Sequence, residues 1–193
     1  TEIYTLSLHD ALPISSLAAS LSGSGNLSIT EGAVDEMDIR LSSGGDLIVS
    51  TLSAPQTAAK NVRIHVSGSG KARLGALHAQ LVELVATSSG DLRVEHLQAD
   101  ELNAEVKGSG SVKVRGGAVQ QAKVKVVSGG DFNGSKLTVQ RAHVHTSGSG
   151  EIRLHVEERL DARVTRSGDV VFSGSPIISY SSEAPGEVRR TKK

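Results

Sequence analysis

The sequence lacks cysteine and tryptophan, and only 2% of its 193 residues are aromatic. The absence of cysteine excludes disulfide bonds, thiolate nucleophiles and cysteine-ligated metals. The scarcity of aromatic side chains removes the stacking platforms with which proteins bind single-stranded nucleic acid. The formal net charge is zero, so the chain also lacks the positive field that attracts nucleic acid. No stretch of 18 apolar residues is present, and we expect no transmembrane segment.

Glycine- and serine-rich motifs are present instead, and they recur at a nearly fixed interval. The steps between the last glycines of successive motifs are 20, 25, 20, 20, 20, 20 and 18 residues, and these glycines are Gly25, Gly45, Gly70, Gly90, Gly110, Gly130, Gly150 and Gly168. A period of this length is typical of stacked structural repeats. Between the motifs, aliphatic and polar residues alternate, which is the pattern of β-strands.

Aligning the repeats on this glycine brings aliphatic residues into common columns. One column, two residues after the glycine, consists of Leu27, Leu47, Ala72, Leu92, Val112, Phe132, Ile152 and Val170. A later set of three columns includes Met37/Ile39/Leu41, Val62/Ile64/Val66, Val82/Leu84/Ala86 and Leu102/Ala104/Val106. The 25-residue step fits if five residues are inserted around Ala54–Ala58, and the 18-residue step fits with two residues deleted.

These columns predict an all-β fold, a right-handed single-stranded parallel β-helix of about eight rungs. One rung cannot bury its apolar side, but a stack of rungs can. Crossovers between parallel strands are almost always right-handed. Glycine would supply the positive φ that each tight corner requires. We place the β-helix domain at residues 16–178 and expect the polar tail, 179–193, to be disordered.

The repeats resemble the family of autotransporter adhesin head GIN domains, a bacterial domain of unknown function. The motifs that carry the resemblance are SGGDLIV, SSGDLRV, GSGSVKV, SGSGEIRL and the closing rung SGDVVFSGSP (Ser167–Pro176), which together cover about residues 21–178. The resemblance implies a location in the cell envelope, in the periplasm or on the outer surface of a Gram-negative bacterium. It also implies an adhesin-like binding role with an unknown ligand.

The first 15 residues depart from the family pattern. Family members usually begin with a signal peptide or lipoprotein leader, whereas TEIYTLSLHDALPIS reads like a sequencing-library adapter translated in frame. We therefore interpret residues 1–15 as a non-native leader joined to a metagenomic gene fragment, and we exclude it from the predicted fold.

An acidic column follows the repeat glycine. It consists of Asn26, Asp46, Lys71, Asp91, Ser111, Asp131, Glu151 and Asp169. A calcium site would need six to eight oxygen ligands. Aspartates on alternate rungs lie about 9.6 Å apart at the usual strand spacing, too far for one ion to bridge. We expect these carboxylates to bond the local backbone of the turn, and we predict no metal site here.

A basic column lies two residues further on. It consists of Arg73, Arg93, Lys113 and Arg153, and it is interrupted by Asn133. Because it alternates with interior columns, it should point outward. One interpretation is a stripe that binds an anionic glycan. The other is that each cation pairs with the acidic column beside it, which would contribute about 0–1 kcal/mol per pair.

Histidines form a third candidate site. His143 and His145 share a strand face, and His65 falls in the same column as His145. A zinc site needs three or four convergent ligands. The neighbouring columns mix both charge signs, which favours a solvated sheet face over a metal site.

No catalytic motif emerges from the sequence. Polysaccharide-degrading β-helices wall their active sites with long loops, whereas the only insertion here is the short one near Ala54–Ala58. Without such loops we expect no concave pocket, no cofactor and no enzymatic activity.

Three hypotheses follow. The favoured one is a cell-envelope module that binds a polysaccharide or protein. The second is a scaffold that associates with itself through its exposed coil ends, as bactofilin-like β-helices do. The third and least favoured is a polysaccharide-active enzyme.

Overall fold

The computed structural model of the chain describes residues 3–6, 14–30, 34–52, 59–182 and 185–191, in which the regular elements are β-strands. The first eight strands are β1 (Ile3–Leu6), β2 (Ile14–Ser22), β3 (Asn26–Ile29), β4 (Val34–Ser43), β5 (Asp46–Leu52), β6 (Ala59–Gly68), β7 (Lys71–Ser88) and β8 (Asp91–Gly108). The others are β9 (Ser111–Val114), β10 (Gly117–Ser128), β11 (Asp131–Gly148), β12 (Glu151–Thr165), β13 (Asp169–Ser173), β14 (Ile177–Ser182) and β15 (Val188–Arg190).

The strands are the coils of a solenoid. Each strand pairs in parallel with the strand one repeat earlier or later in the chain, and the described strands form one continuous sheet. The result is a parallel β-helix of about eight turns, which confirms the predicted fold class. None of the described residues forms an apolar helix long enough to span a membrane.

Strand β8 traces one complete coil and shows why the chain bends. Its buried side chains are Leu92, Val94, Leu97, Ala99, Leu102, Ala104 and Val106. Alternation is interrupted at residues 95–96 and 100–101, where two consecutive side chains face outward, so the strand turns a corner at each place. The serine–glycine motif makes the third corner. We call residues 91–95 face 1, residues 96–100 face 2 and residues 101–107 face 3, and we use the same names for equivalent positions in other coils.

The register confirms the predicted columns. Leu92 pairs with Ala72 and Val112, and Phe132 pairs with Val112 and Ile152. The three later columns are paired coil by coil from Met37/Ile39/Leu41 to Leu160/Ala162/Val164. The sequence alignment did not include the buried residues of face 2, which in the middle coils are Leu77, Ala79, Leu97, Ala99, Val119, Leu137 and Val139.

One of the two predicted length changes, the deletion, lies among the described residues. The insertion around Ala54–Ala58 lies outside the described residues. The deletion is visible where β11 meets β12, because Gly134 pairs with Leu154 while Thr138 pairs with His155. Three residues of β11 therefore have no partner in β12. Just after Val139 the register shifts by one residue in the opposite direction. The net shortening is two residues, as the alignment predicts.

The ends of the described chain differ from expectation. Strand β1, in the segment that we interpret as a non-native leader, pairs in parallel with β3. The expectation of a disordered tail is wrong for β14 and β15, which pair with β12 and β13. The edge of a parallel sheet offers unpaired backbone groups, and these bond a following strand even when its side chains are polar.

Candidate functional site

The predicted basic column lies on face 1. Arg73, Arg93, Lys113, Asn133 and Arg153 are paired in series from β7 to β12, about 4.8 Å apart at the usual strand spacing. Because interior residues flank each member, the side chains face outward. The side chains of the three arginines retain 39% to 54% exposure. We call this column the face 1 stripe.

Acidic neighbours neutralise part of the face 1 stripe. Arg93 Nε lies 2.6 Å from Glu95 Oε1, and Arg153 Nη2 lies 2.5 Å from Glu151 Oε2. Arg73 Nη1 is 3.8 Å from an oxygen of Asp46. Lys113 makes no ion pair with the residues that the structure describes. Exposed pairs of this kind contribute about 0–1 kcal/mol each, so an anionic ligand could displace them at small cost.

The acidic column has a structural role that differs from the predicted one. Its side chains bond the next coil of the stack, rather than their own turn. Asp131 Oδ1 accepts a hydrogen bond from the backbone N–H of Glu151 at 2.9 Å, and Asp169 Oδ1 accepts one from Glu187 at 3.1 Å. Asp46 Oδ1 accepts a hydrogen bond from the backbone N–H of Lys71 in the same way, at 3.3 Å. These carboxylates therefore satisfy backbone donors at one corner of the stack.

The histidines do not converge. His143 Nδ1 lies 3.2 Å from Asp161 Oδ2, whereas His65 and His145 are separated by four coil steps along their column. In the described part of the chain, no three His, Asp or Glu side chains come together as a metal site would require.

A groove lies on face 3, where the mixed-sign columns predicted a solvated sheet face. Two outward columns line it, one made of Asn103, Lys123, His143, Asp161 and Ser179, and the other made of Glu105, Lys125, His145, Arg163 and Ser181. Its floor is the sheet between them, and its volume is about 690 Å³. We call this depression the face 3 groove.

The face 3 groove is open to solvent and has no long loops among its lining residues. The sheet supplies its floor, and outward side chains of successive coils supply its walls. The sequence shows which residues share the two columns. It does not show whether that face of the sheet is flat or hollow, because curvature depends on how all three faces pack.

Ion pairs hold the carboxylates near the groove in their ionised form. Lys123 Nζ is 2.7 Å from Glu101 Oε1, and this hydrogen bond lowers the pKa of Glu101. Burial raises the pKa of Glu105, but hydrogen bonds from Lys107 at 2.8 Å and Lys125 at 3.2 Å outweigh it, and the pKa falls below its ordinary value.

The end of the groove nearest the chain's C-terminus carries an anion and a cation. Arg159 donates hydrogen bonds to Asp161 at 3.0–3.2 Å, and they lower the pKa of Asp161. Arg163 is exposed and makes no ion pair with the described residues. Tyr180 borders the groove here but continues the interior column of Ala162, and it is 63% exposed because no further coil covers it among the described residues, whereas Phe132 and Phe172 are buried in the core.

The family assignment rests on a sequence comparison over most of the chain. The family described as "putative auto-transporter adhesin, head GIN domain" matches residues 7–80 and 62–176. The chain belongs to this family. The assignment confirms the resemblance carried by the glycine–serine rungs, and the two GIN-domain matches include both the face 1 stripe and most of the face 3 groove. No curated protein sequence matches the chain.

Solved structures share the fold of this GIN-domain chain. A protein named "putative adhesin" from Parabacteroides merdae has a TM-score of 0.73 at 18% identity, covering 82% of this chain and 64% of its own. A second, of the same name, from Parabacteroides distasonis has a TM-score of 0.66 at 22% identity, covering 90% and 63%. A "putative lipid binding protein" from Parabacteroides distasonis has a TM-score of 0.64 at 24% identity, covering 92% and 62%. The chain thus spans less than two thirds of each of these proteins.

Proposed function

We propose that the chain is a non-catalytic binding module of the cell envelope, at the periplasmic or outer surface of a Gram-negative bacterium, which holds an anionic surface polymer on the face 1 stripe. The names of the family and of two structural neighbours, which describe adhesins, support a binding role. The polymer would be a polysaccharide or an acidic protein segment.

One observation carries this proposal: like charges occupy directly paired positions in consecutive coils. Arg73 pairs with Arg93, and Arg93 pairs with Lys113. Like charges opposite each other on neighbouring strands are destabilising. A column that keeps three cations together tolerates this repulsion, and an anionic ligand would relieve it. Arginine also binds carboxylate and phosphate groups through two parallel hydrogen bonds.

The pKa values near the face 3 groove support a non-catalytic role. A general acid near neutral pH needs a carboxyl group whose pKa is raised. The pKa values of Glu101, Glu105 and Asp161 are instead lowered, which keeps these groups ionised.

A glycan array with the full chain, at low and physiological salt, tests the proposal. The array carries anionic polysaccharides and cell-wall fragments. The test variant replaces Arg73, Arg93, Lys113 and Arg153 with alanine. A matched control replaces four exposed cations elsewhere, namely Lys60, Lys107, Lys136 and Arg141, so that both variants lose the same charge.

We expect saturable binding of an anionic polymer by the wild type, weakened by salt because the contacts are electrostatic. The stripe variant should lose this binding by about tenfold or more, which corresponds to about 1.4 kcal/mol or more, while the control stays close to the wild type. Equal losses in the two variants would mean that net charge alone attracts the polymer, and the stripe would not be a site.

A second candidate function, a self-stacking scaffold, is favoured by the exposed apolar residues of β14. Ile177, Ile178 and Tyr180 are 77%, 42% and 63% exposed. Ile178 and Tyr180 continue the interior columns of Leu160 and Ala162. A second copy that adds its own coil in this register would cover them by head-to-tail stacking, which generates filaments.

Sedimentation velocity over a wide range of protein concentrations tests this candidate. A scaffold should form progressively larger species, and Ile178→Lys should shift the distribution towards monomer because a charge cannot be buried unpaired. Ser181→Lys on the outward side of the same strand is the matched control. A wild type that stays monomeric at high concentration would reject the scaffold.

A further inference from the structure

We propose that Asn133 is an acceptor for N-linked glycosylation, modified by a bacterial oligosaccharyltransferase that recognises the segment Asp131–Ser135. The donor is an oligosaccharide linked to a polyprenyl diphosphate. The inference rests on the proposed function only for the cell-envelope compartment, where such a transferase meets an exported chain. It concerns a covalent modification of the chain, and not the polymer held on the face 1 stripe.

The sequence of this segment is a complete acceptor motif. N-linked transfer requires an asparagine and, two residues later, a serine or threonine, with any residue except proline between them. Asn133, Gly134 and Ser135 meet this requirement. Bacterial transferases also select an acidic residue two positions before the asparagine, because a cation of the enzyme can pair with it. Asp131 occupies that position, so the segment carries each group that the transferase recognises.

Strand geometry presents the recognised groups together. Side chains two residues apart point to the same side of a strand. In β11, the positions of Phe132 and Gly134 are buried. Asp131 and Ser135 are exposed, and Asn133 between them is half-buried. The acid, the amide and the hydroxyl therefore share the outward side of the strand.

A local turn joins the amide to the hydroxyl. Asn133 Oδ1 accepts hydrogen bonds from the Ser135 backbone N–H at 3.2 Å and from Ser135 Oγ at 2.9 Å. Bonds from a side chain to the residue two positions on are local, so the segment can form them before the coils stack. They engage the oxygen of the amide, and Asn133 Nδ2 makes no hydrogen bond with the residues that the structure describes. The nitrogen that accepts the sugar is thus available.

The acceptor lies where the sheet is interrupted. Asn133 pairs with Lys113 and Arg153, but Ser135 and Lys136 pair with no residue of the adjacent coils. An oligosaccharide on Asn133 Nδ2 would leave the surface beside this interruption and displace no core side chain. The folded stack can therefore carry the modification.

The transfer is a substitution at the anomeric carbon of the donor. Asn133 Nδ2 forms a bond to C1 of the first sugar, while the bond from C1 to the diphosphate oxygen breaks. Polyprenyl diphosphate leaves with the electron pair of that bond. The nitrogen loses one proton to a carboxylate of the transferase, so the step needs no oxidant or reductant.

A second asparagine–x–serine motif provides an internal control. Asn26 is followed by Ser28, but position 24 is a serine, so the acidic residue is missing. Asn26 Oδ1 also accepts the backbone N–H of Asp46 in the next coil at 3.1 Å, as the carboxylates of the acidic column do. This amide has a structural role, and we expect it to receive no oligosaccharide.

Transfer in vitro to the full chain tests the proposal. The chain is mixed with a purified bacterial oligosaccharyltransferase and an undecaprenyl-diphosphate-linked oligosaccharide with an N-acetylated sugar at its reducing end, either during refolding from urea or after folding. A short acceptor peptide confirms that the transferase is active. Intact mass spectrometry measures the occupancy, and fragmentation of the peptides locates the attachment.

Three variants each remove one recognised group: Asn133→Gln, Ser135→Ala and Asp131→Asn. The last keeps an oxygen that can accept the backbone N–H of Glu151, so the stack should still form. Asp91→Asn is its matched control, because it removes a carboxylate from the same column two coils earlier.

We expect attachment at Asn133, with higher occupancy when the transferase is present during refolding, since strand pairing restrains Asn133 once the coils have stacked. Asn133→Gln and Ser135→Ala should lose the modification. Asp131→Asn should reduce it by about tenfold, as the loss of one charge-assisted contact predicts, while Asp91→Asn stays at the wild-type level. The modified chain should keep the circular dichroism spectrum of the unmodified one.

The assignment is overturned by no transfer in either order of mixing, by transfer that persists in Asn133→Gln, or by equal occupancy of Asn26 and Asn133. A modified chain that no longer folds would also contradict it, because the acceptor must lie on the outside of the stack. The glycan array uses the unmodified chain, so failure here leaves the proposed function of the face 1 stripe standing.

Discussion

At the scale of single residues, the repeat glycine is required because adjacent coils pack closely at this position. A Cβ atom on Gly110 would overlap the carbonyl oxygen of Gly90 in the preceding coil, and the same holds for Gly130 above Gly110. The positive φ angles lie two residues earlier, where glycine and serine alternate: Gly68, Ser88, Gly108, Ser128 and Gly148. The expectation that glycine supplies the positive φ of the corner is confirmed at Gly68, Gly108 and Gly148 but not at Ser88 and Ser128. The repeat glycine itself is required for a different reason, the close approach of the next coil.

This difference predicts the outcome of two alanine substitutions one turn apart. Gly110→Ala should destabilise the fold by about 1–3 kcal/mol or more, because the backbone of the adjacent coil must move. Gly129→Ala should have little effect, because its Cβ would meet only Ser149 Oγ at 3.6 Å. Urea unfolding of both variants measures the difference. Similar losses in the two variants would contradict the close-packing role.

At the scale of an element, β11 shows how one coil absorbs an unusual side chain. Phe132 occupies a column position that is valine or isoleucine in the adjacent coils, and Gly134 occupies a position that is leucine in the next coil. A Cβ on Gly134 would lie 2.9 Å from Phe132 Cε1 and 3.0 Å from Leu154 Cδ2. The ring of Phe132 thus uses the volume that Gly134 leaves free.

A double-mutant cycle on this pair has a definite expected result. Phe132→Val should cost about 2–4 kcal/mol through the cavity that it leaves. Gly134→Val should cost about 1–3 kcal/mol through overpacking against the ring. The double variant reproduces the Val112 and Val114 pair of the earlier coil. Its loss of unfolding free energy should be smaller than the sum of the single losses by about 1 kcal/mol or more. Strict additivity would show that the two residues are not coupled.

At the scale of the whole molecule, stacking in register turns each sequence position into a column along the solenoid. A charge repeated every 20 residues then lies about 4.8 Å from the same charge in the adjacent coil, which is unfavourable. Most outward columns avoid this by mixing signs, as in the column of Glu83, Asn103, Lys123, His143 and Asp161. The face 1 stripe departs from this pattern because it repeats cations. It is therefore a stronger candidate for a binding site than the mixed-sign columns that the sequence also shows.

The sequence by itself determined the fold, because a period of 20 residues and alternation within each face favour a stack of coils that buries every aliphatic column. It also determined the register, since a slip by one residue would turn the interior columns outward. It determined the members of the face 1 stripe for the same reason, although their ion pairs with Glu95 and Glu151 depend on side-chain reach.

The tertiary structure alone decided three things. It decided that face 3 carries an open groove, because the shape of an outward face depends on the packing of all the coils and leaves no local pattern. It decided that the acidic side chains bond the next coil, because that N–H group comes within reach only when the coils stack. It also decided that the polar tail forms strands β14 and β15. The tail pairs through its backbone groups, and a hydropathy pattern carries no information about backbone pairing.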